Sequence, residues 1–131
     1  MLSVAAALAC GCSTRDAVPA FPTVPVRGKV DMTKGGTAKT LGERQAMIEF
    51  ESVDQPGTKA FGEIQEDGSF TLRTLKDGQW KDGAVSGTHR VRINIDDGSA
   101  HLINSKFLRY QSSGITVKVP TNDTLEIKVW K

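Results

Sequence analysis

The two histidines are the side chains of this chain that could most readily act as a base or a metal ligand. His89 falls on the apolar side of an alternating segment, and His101 lies in a polar, irregular one. A zinc site needs three or four ligands at characteristic spacings, and neither histidine has a neighbour in the sequence at such a spacing. The sequence therefore predicts that His89 is half-buried at the rim of a core, that His101 is solvated, and that the protein binds no metal or cofactor.

Serine and acidic residues are also frequent, but their arrangement does not indicate catalysis. No segment resembles the strand-turn-helix elbow that presents a nucleophilic serine, so a catalytic triad is not expected. Asp96-Asp97 and Asn122-Asp123 could offer oxygen ligands to calcium, yet they lack the alternating ligands of a dedicated loop. Asp and Asn often accept local backbone hydrogen bonds in turns, and we expect that role here. These patterns favour a protein that is not an enzyme.

Three aromatic side chains are the candidates for contact with a ligand. Trp80 lies in a polar, glycine-rich segment, Tyr110 in an irregular one, and Trp130 on the outward side of the last alternating segment. Exposed rings of this kind can stack on a sugar or fill a pocket of a partner protein. Alternatively, Trp80 covers one end of the core and Trp130 covers an edge, because single aromatic residues are common on protein surfaces. The sequence leaves both interpretations open.

The first twelve residues have the composition of an export signal. Residues 1–12, MLSVAAALACGC, are apolar and small, and they carry no charge. The segment is too short to cross a bilayer as a helix. It resembles the lipobox that ends a bacterial lipoprotein signal, in which a cysteine after small residues receives a lipid. Cys12 and Cys10 are both candidates for lipidation. The basic residues usual after the first Met are missing, so we expect the start of translation to lie upstream.

The remaining chain divides into a tether and one domain. Residues 13–23 are rich in proline and form the predicted tether, and residues 24–131 form the predicted domain. The chain has 17 basic and 15 acidic residues and a net charge of +2, a balance that argues against nucleic acid as a partner. The N-terminal segment predicts an exported, membrane-anchored lipoprotein that faces the periplasm or the cell surface. The membrane, an envelope protein and a polysaccharide are the expected partners.

The elements that position these side chains are predicted from a period of two in hydrophobicity. Within residues 88–96, His89, Val91 and Ile93 alternate with polar residues, as in a strand with one buried face. Six further segments alternate in the same way, with Lys29 and Glu49 on their outward sides. The seven predicted strands are 24–32, 45–52, 59–65, 69–75, 88–96, 115–119 and 124–130.

The segments between these strands carry turn residues and little periodicity. Residues 33–44, 76–86 and 97–113 are the long predicted loops, and no segment shows the 3.6-residue period of a helix. Seven short alternating strands with turns between them are typical of an all-β fold, the β-sandwich.

Three motifs carry a resemblance to a known family. They are VRGKV at 26–30, EDGSFTL at 66–72 and DGAVSGTHRV at 82–91. Together they resemble the carboxypeptidase-regulatory-like domains of small bacterial lipoproteins, over about residues 24–129. The resemblance implies a seven-stranded Greek-key β-sandwich of the transthyretin (prealbumin) type. Two departures concern loops: segment 33–44 is longer than the family's usual loop, and Asn104 stands where a proline is common.

The family's name refers to a domain appended to carboxypeptidases, and the resemblance implies no peptidase activity. The expected function is that of a non-enzymatic, lipid-anchored cell-envelope protein, a structural or protein-interaction module that displays loops 33–44 and 97–113. The alternative is a carbohydrate-binding module that uses Trp80, Tyr110 or Trp130.

Overall fold

The computed structural model of the protein describes residues 22–121 and 124–131. The predicted export signal with Cys10 and Cys12, the tether up to residue 21, and the Asn122-Asp123 turn lie outside the described residues. Within the described part, the chain is mostly β-structure arranged in two sheets. The all-β prediction and the pairing of two sheets expected of a β-sandwich are therefore confirmed.

Nine strands are present in the described residues, two more than predicted. They are β1 (Arg27–Met32), β2 (Met47–Ser52), β3 (Lys59–Glu63), β4 (Ser69–Thr71), β5 (Arg73–Lys76), β6 (Gln79–Asp82), β7 (Gly87–Asn94), β8 (Thr116–Val119) and β9 (Leu125–Val129). The helical elements are α1 (Ala38–Glu43), two 3-10 helices (Asp97–Leu102 and Ser105–Leu108) and α2 (Tyr110–Ser113). The small sheet has the order β4-β1-β9 and the large sheet has the order β6-β5-β3-β2-β7-β8.

The core lies between the two sheets and follows the alternation in the sequence. On β7, Val91 and Ile93 are fully buried, and on β9 Ile127 is 3% exposed. Phe50 of the large sheet meets Phe70 of the small sheet with ring centroids 6.3 Å apart. Each of these residues removes apolar surface from water on the inward face of its strand, which is the main driving force for packing the sheets together.

The segment 69–75 does not form the single strand that its alternation predicts. Phe70 on β4 pairs with Gly28 of β1 in the small sheet, whereas Arg73 on β5 pairs with Phe61 of β3 in the large sheet. Leu72 stands between them, donating its N–H to Val26 O at 3.0 Å and accepting at its own C=O from Gly83 N at 2.8 Å. A local period of two cannot reveal this change of sheet, because both halves keep the same alternation.

The predicted loop 76–86 contains a strand that the sequence reading missed. Asp77 and Gly78 have φ of 52° and 77° and form a two-residue turn between β5 and β6. Positive φ at both positions is the requirement of a type I′ hairpin turn, for which Asp-Gly is a preferred pair. The Asp-Gly dipeptide was therefore the available signal for β6. It matters for function because β6 carries Trp80.

The prediction that the chain contains no helix is wrong at two of the long loops. Residues 33–44 contain α1, whose Leu41 is fully buried. Residues 97–113 form two 3-10 helices and α2, with Ile103 and Phe107 buried. These helices are short and each contains one buried residue, so no 3.6-residue stripe develops in the sequence. No helix in the described ranges has the length and apolar character needed to span a membrane.

Candidate functional site

The outer face of the large sheet, the face turned away from the small sheet, carries the candidate site. One row of directly paired residues crosses five strands of this face, in the order Asp82, Arg73, Phe61, Glu49 and Arg92. Side chains in such a row are cross-strand neighbours and interact with each other. The row joins two clusters, an aromatic groove at the β6 edge and a buried polar cluster towards β7.

Trp80 on β6 is the most exposed large aromatic side chain of the described residues, with 49% of its surface open to solvent. Its indole packs against Phe61 of β3 in an edge-to-face contact at 5.9 Å. The Arg73 guanidinium lies over the indole at 4.6 Å from the ring centroid. Edge-to-face and cation–π contacts hold an aromatic ring in a defined orientation even where it is exposed. Phe61 and Arg73 thus hold the Trp80 ring in place although the ring remains exposed to solvent.

A groove of about 220 Å³ opens beside this indole, and we call it the Trp80 groove. Its apolar lining includes Trp80 and Phe61 of the large sheet and Phe70 of the small sheet. At Gly62 in its floor, a Cβ would lie 2.9 Å from Thr71 O, so the close approach of β3 and β4 requires glycine there.

Polar side chains from β3, β4, β5 and the connection between β3 and β4 also line the Trp80 groove. They are Glu63, Gln65, Ser69, Thr71 and Arg73. The side chain of Gln65 makes one long hydrogen bond, 3.5 Å from Nε2 to Glu63 O, and the Arg73–Asp82 ion pair is long at 4.0 Å. The hydroxyl hydrogen of Ser69 is already used in a hydrogen bond, which it donates to Asp67 Oδ1 at 2.6 Å. Most of the rim is therefore available to a ligand.

Asp67, next to this rim, holds the β4 turn. Its carboxylate accepts from the hydroxyl of Ser69 and from the backbone N–H of Ser69 at 2.9 Å. The hydrogen bond from the Ser69 hydroxyl is the largest cause that lowers the pKa of Asp67, and the bond from the Ser69 backbone N–H lowers it further. Both bonds favour the ionised form of the carboxyl. The turn predicted at Asp67-Gly68 is thus confirmed, with Gly68 at φ 90°.

A buried polar cluster around Glu49 lies further along the row. Glu49 was predicted to point outward, and it does belong to the outer face, but only 2% of it is exposed. Arg92 Nε donates to Glu49 Oε1 and Arg92 Nη2 to Oε2, each at 3.1 Å. Asn94 donates to Oε2 at 2.6 Å and the Tyr110 hydroxyl to Oε1 at 2.9 Å. The predicted outward direction of Glu49 is therefore correct, but the side chain is buried because α2 and the 3-10 helix before it cover this part of the sheet.

Tyr110 is half-buried in this cluster and does not project into solvent. Its ring stands near Arg92, whose guanidinium is 5.3 Å from the ring centroid, and near Arg90 and Lys59, each at 5.9 Å. Burial is the largest cause that raises the pKa of Tyr110, and the neighbouring Glu49 carboxylate raises it further. The hydroxyl is consequently a hydrogen-bond donor that locks α2 onto the sheet.

Trp130 follows β9 and is half-buried rather than free. Its ring meets Phe107 edge-to-face at 4.8 Å, and the Lys106 ammonium lies 4.8 Å from its centroid. Its C=O accepts from Asn104 N at 2.9 Å. The interpretation that Trp130 covers an edge of the core fits this packing. The three predicted contact aromatics therefore lie in three separate environments, and only Trp80 presents an open ring.

His89 is more deeply buried than the sequence predicts, at 1% exposure instead of a half-buried position at the core rim. Its Nε2 lies 2.8 Å from Val85 O, and its ring packs against Phe50 at 5.9 Å. Nδ1 is buried with no hydrogen-bond partner among the described residues. Because a carbonyl oxygen can only accept, Nε2 is the donor in this hydrogen bond, and the ring is a packing element of the core.

The remaining polar candidates are dispersed. His101 is exposed, as predicted, although it lies in a 3-10 helix and not in a loop. Lys29 faces solvent on β1, as the alternation predicts. In residues 22–121 and 124–131, no three His, Cys, Asp or Glu side chains are grouped closely enough to hold a metal ion.

Comparison with protein-family models, with curated proteins and with solved structures finds no match to this chain. The outer face of the large sheet and the sequence of the N-terminal segment are therefore the features of this protein that bear on its function.

Proposed function

We propose that this protein is a non-enzymatic, lipid-anchored protein of the cell envelope whose β-domain is an interaction module. The contact surface is the β5–β6 side of the outer face, around Trp80. The observation that carries the proposal is the 49% exposure of an indole that Phe61 and Arg73 hold in place. Rigid, exposed aromatic rings flanked by arginine are typical of residues that dominate binding energy at interfaces.

The anchor is proposed from the sequence of residues 1–12. An uncharged apolar segment that ends in small residues and cysteine is typical of a lipoprotein signal, and Cys12 or Cys10 would carry the lipid. The proline-rich residues 13–23 would then give the domain reach from the membrane towards the periplasm or the cell surface.

The finer fold assignment belongs to the same proposal. The motifs at 26–30, 66–72 and 82–91 support a carboxypeptidase-regulatory-like domain with the Greek-key topology of transthyretin, and two packed sheets are compatible with it. Such a domain is a display scaffold, and its interaction surface is set by the side chains placed on it.

The backbone at the β6 edge adds a second means of contact with a protein. Lys76 and Gln79 flank the two-residue turn, so they form the hydrogen-bonded pair that closes it. The next pair, Leu75 and Trp80, is then non-hydrogen-bonded, and Trp80 directs its N–H and C=O away from β5. β6 is the terminal strand of its sheet in the described part of the chain. An extended partner segment could therefore pair with β6 while a side chain reaches the indole.

Loops 33–44 and 97–113, which the sequence offered as the contact surface, are less suited to that role. Leu41 of the first and Phe107 of the second are buried in the core, so both segments are part of the packed domain. The β5–β6 hairpin replaces them in the proposal.

Site-specific photo-crosslinking in intact cells tests the contact surface. A photo-reactive phenylalanine analogue at the position of Gln79 reports on the β6 edge, and the same analogue at Lys118 on β8 reports on the opposite edge of the sheet. We expect discrete adducts at the first position that disappear in Trp80→Ala, and none at the second. Equal adducts at both edges, or adducts insensitive to Trp80→Ala, would contradict the proposal.

Mass spectrometry of the mature N-terminus tests the anchor separately. A diacylglyceryl group on one cysteine is expected, and Cys12→Ala and Cys10→Ala identify which of the two carries it. A mature protein that lacks lipid in both single variants and in the wild type would remove the anchor from the proposal and leave the contact surface standing.

Carbohydrate binding is the second candidate, and it now depends on Trp80 alone. Tyr110 and Trp130 are half-buried and engaged with Glu49 and Phe107, so neither offers an open face to a sugar. The groove beside Trp80 is the observation that favours carbohydrate binding as a second candidate function.

A further inference from the structure

We infer that the Trp80 groove is a subsite for one neutral pyranose ring of a polysaccharide. The inference deepens the carbohydrate alternative of the proposed function and rests on it. It depends on three properties of the groove, which are its size, its apolar wall and the charges on its rim.

The size of the groove restricts the ligand to one ring. Its volume is about 220 Å³, below the range of about 300–1,000 Å³ typical of sites that enclose drug-sized molecules. A single hexose, or one ring of a longer chain that continues over the surface, fits this space. A site this small gives an affinity of only about 1 mM per ring.

The wall of the groove matches the apolar face of a sugar. A pyranose carries its C–H groups on one face and its hydroxyls around the rim. Trp80 and Phe61 supply a rigid aromatic wall, and the edge-to-face contact at 5.9 Å fixes their mutual orientation. Aromatic rings that are already ordered lose little conformational entropy when a ligand stacks on them.

The rim of the groove matches the hydroxyls. Thr71 and Glu63 are exposed, and no hydrogen bond ties their side chains to another described residue. The Gln65 side chain makes one long hydrogen bond, to Glu63 O. The Arg73 side chain is 55% exposed, and its ion pair with Asp82 is long at 4.0 Å. Together these groups offer both donors and acceptors, which is what a ring of hydroxyls requires.

The charges on the rim favour a neutral ring. Arg73 supplies a positive charge, whereas Glu63 lines the same groove and Asp82 stands next to Arg73 in the cross-strand row. A uronic acid would gain one guanidinium and meet two carboxylates, so it has no electrostatic advantage over an uncharged hexose.

The two tryptophans of the chain make the test specific. In an amide and indole NMR titration of the full chain, Trp80 reports on the groove and half-buried Trp130 is an internal control. The indole signals are assigned with Trp80→Phe. The probes are hexasaccharides of glucose in β-1,4 and α-1,4 linkage, of xylose and of N-acetylglucosamine, with oligogalacturonate as the charged probe.

We expect at least one neutral oligosaccharide to shift the Trp80 indole signal in a saturable way at millimolar concentration, while the Trp130 signal stays in place. Trp80→Ala should abolish the shifts of neighbouring rim amides, and Arg73→Gln should weaken binding several-fold. Val53→Ala is the matched control, because Val53 is a comparably exposed apolar residue, at 45%, that is not part of the groove lining.

Three results would overturn the inference. The first is the absence of any Trp80 shift with every neutral probe, and the second is equal or tighter binding of oligogalacturonate. The third is tighter binding of N-acetyl-phenylalanine amide than of any sugar, which would make the groove a pocket for an apolar side chain of a protein. In that third case the photo-crosslinks at Gln79 would persist, so the protein-interaction proposal would survive the loss of the sugar subsite.

Discussion

Glu49 on β2 and Arg92 on β7 lie directly opposite each other, and the guanidinium binds both carboxylate oxygens with two hydrogen bonds of 3.1 Å. The same guanidinium donates from Nη1 to Leu108 O at 3.0 Å, so it also joins the sheet to the helical segment above it. With Asn94 and Tyr110 as further donors, every oxygen of Glu49 is satisfied. A buried carboxylate is tolerated only with such compensation.

Removal of Arg92 should therefore destabilise the domain strongly. In Arg92→Leu the carboxylate of Glu49 stays buried without its counter-charge, and we expect a loss of about 3 kcal/mol in the free energy of unfolding. Chemical denaturation measures it. The double variant Glu49→Leu with Arg92→Leu should recover part of the loss, because both charges are then absent.

The neighbouring ion pair is the control for this prediction. Arg90 and Glu51 are bonded at 2.8 Å, but their side chains are 39% and 15% exposed, against 28% and 3% for Arg92 and Glu49. Arg90→Leu should cost clearly less than Arg92→Leu, about 1 kcal/mol, because water reaches more of this pair and screens it. Equal costs for the two arginines would show that burial of Glu49 is not what makes its pair important.

Tyr110 should make the domain sensitive to alkali. Because the folded state raises the pKa of the phenol above its usual value of 10.0, the folded state holds this proton more tightly than the unfolded state does. The stabilisation is complete below pH 10 and decreases as the pH rises above that value. The chain has a single tyrosine, so the phenolate absorption band reports Tyr110 alone.

We expect that band to appear well above pH 10 and to coincide with loss of the fold. Tyr110→Phe should lower stability at neutral pH by about 1 kcal/mol, the net value of one hydrogen bond. In this variant, the free energy of unfolding should also decrease less steeply above pH 10 than in the wild type. A tyrosine that ionises near pH 10 in the folded protein would contradict the bond to Glu49.

Phe107 should control the attachment of the helical segment 97–113. It is 1% exposed and packs edge-to-face on Trp130, so Phe107→Ala should cost about 3–5 kcal/mol. Hydrogen exchange should accelerate first at the Asn104 amide, which is bonded to Trp130 O. Phe61→Ala, which truncates a half-buried ring of the outer face, should cost clearly less and leave the Asn104 amide protected.

Two glycines separate the cost of a positive φ from the cost of a steric clash. Gly78 in the β5–β6 turn has φ 77° and free space where a Cβ would be, whereas Gly83 has φ 94° and a Cβ there would overlap the Val24 carbonyl. Gly78→Ala should cost about 1–2 kcal/mol from backbone strain alone. Gly83→Ala should cost more and disrupt the Val24–Ala84 bridge. Thermal unfolding compares the two, and equal melting temperatures would contradict the close approach of Val24.

The alternation of side chains was sufficient to predict most strands and their buried faces. Val91, Ile93 and Ile127 are buried as expected, and Val117 is partly buried against the same core. Two features escaped this reasoning. Leu72 marks a change of sheet inside one alternating segment, and β6 follows an Asp-Gly turn within a segment whose polar composition indicated a loop.

The candidate site was predicted only in part. Trp80 was singled out from its residue type, but its neighbours Phe61 and Arg73 are 19 and 7 positions away in the sequence and meet it through strand pairing. The Glu49 cluster was missed altogether, because Glu49 reads as an ordinary outward residue of a half-buried strand. The helical segment above the sheet, together with Arg92 and Asn94 beside it, makes Glu49 a buried carboxylate.

Which side of each strand is apolar is a local property, since successive side chains point to opposite faces, and the amino-acid order alone determined it for this protein. The tertiary structure decided which strands became neighbours, which outward residues were covered by residues 97–113, and which aromatic ring stayed open. Those outcomes depend on pairing between segments far apart in the chain, where hydrogen-bond register and packing are settled jointly by both partners.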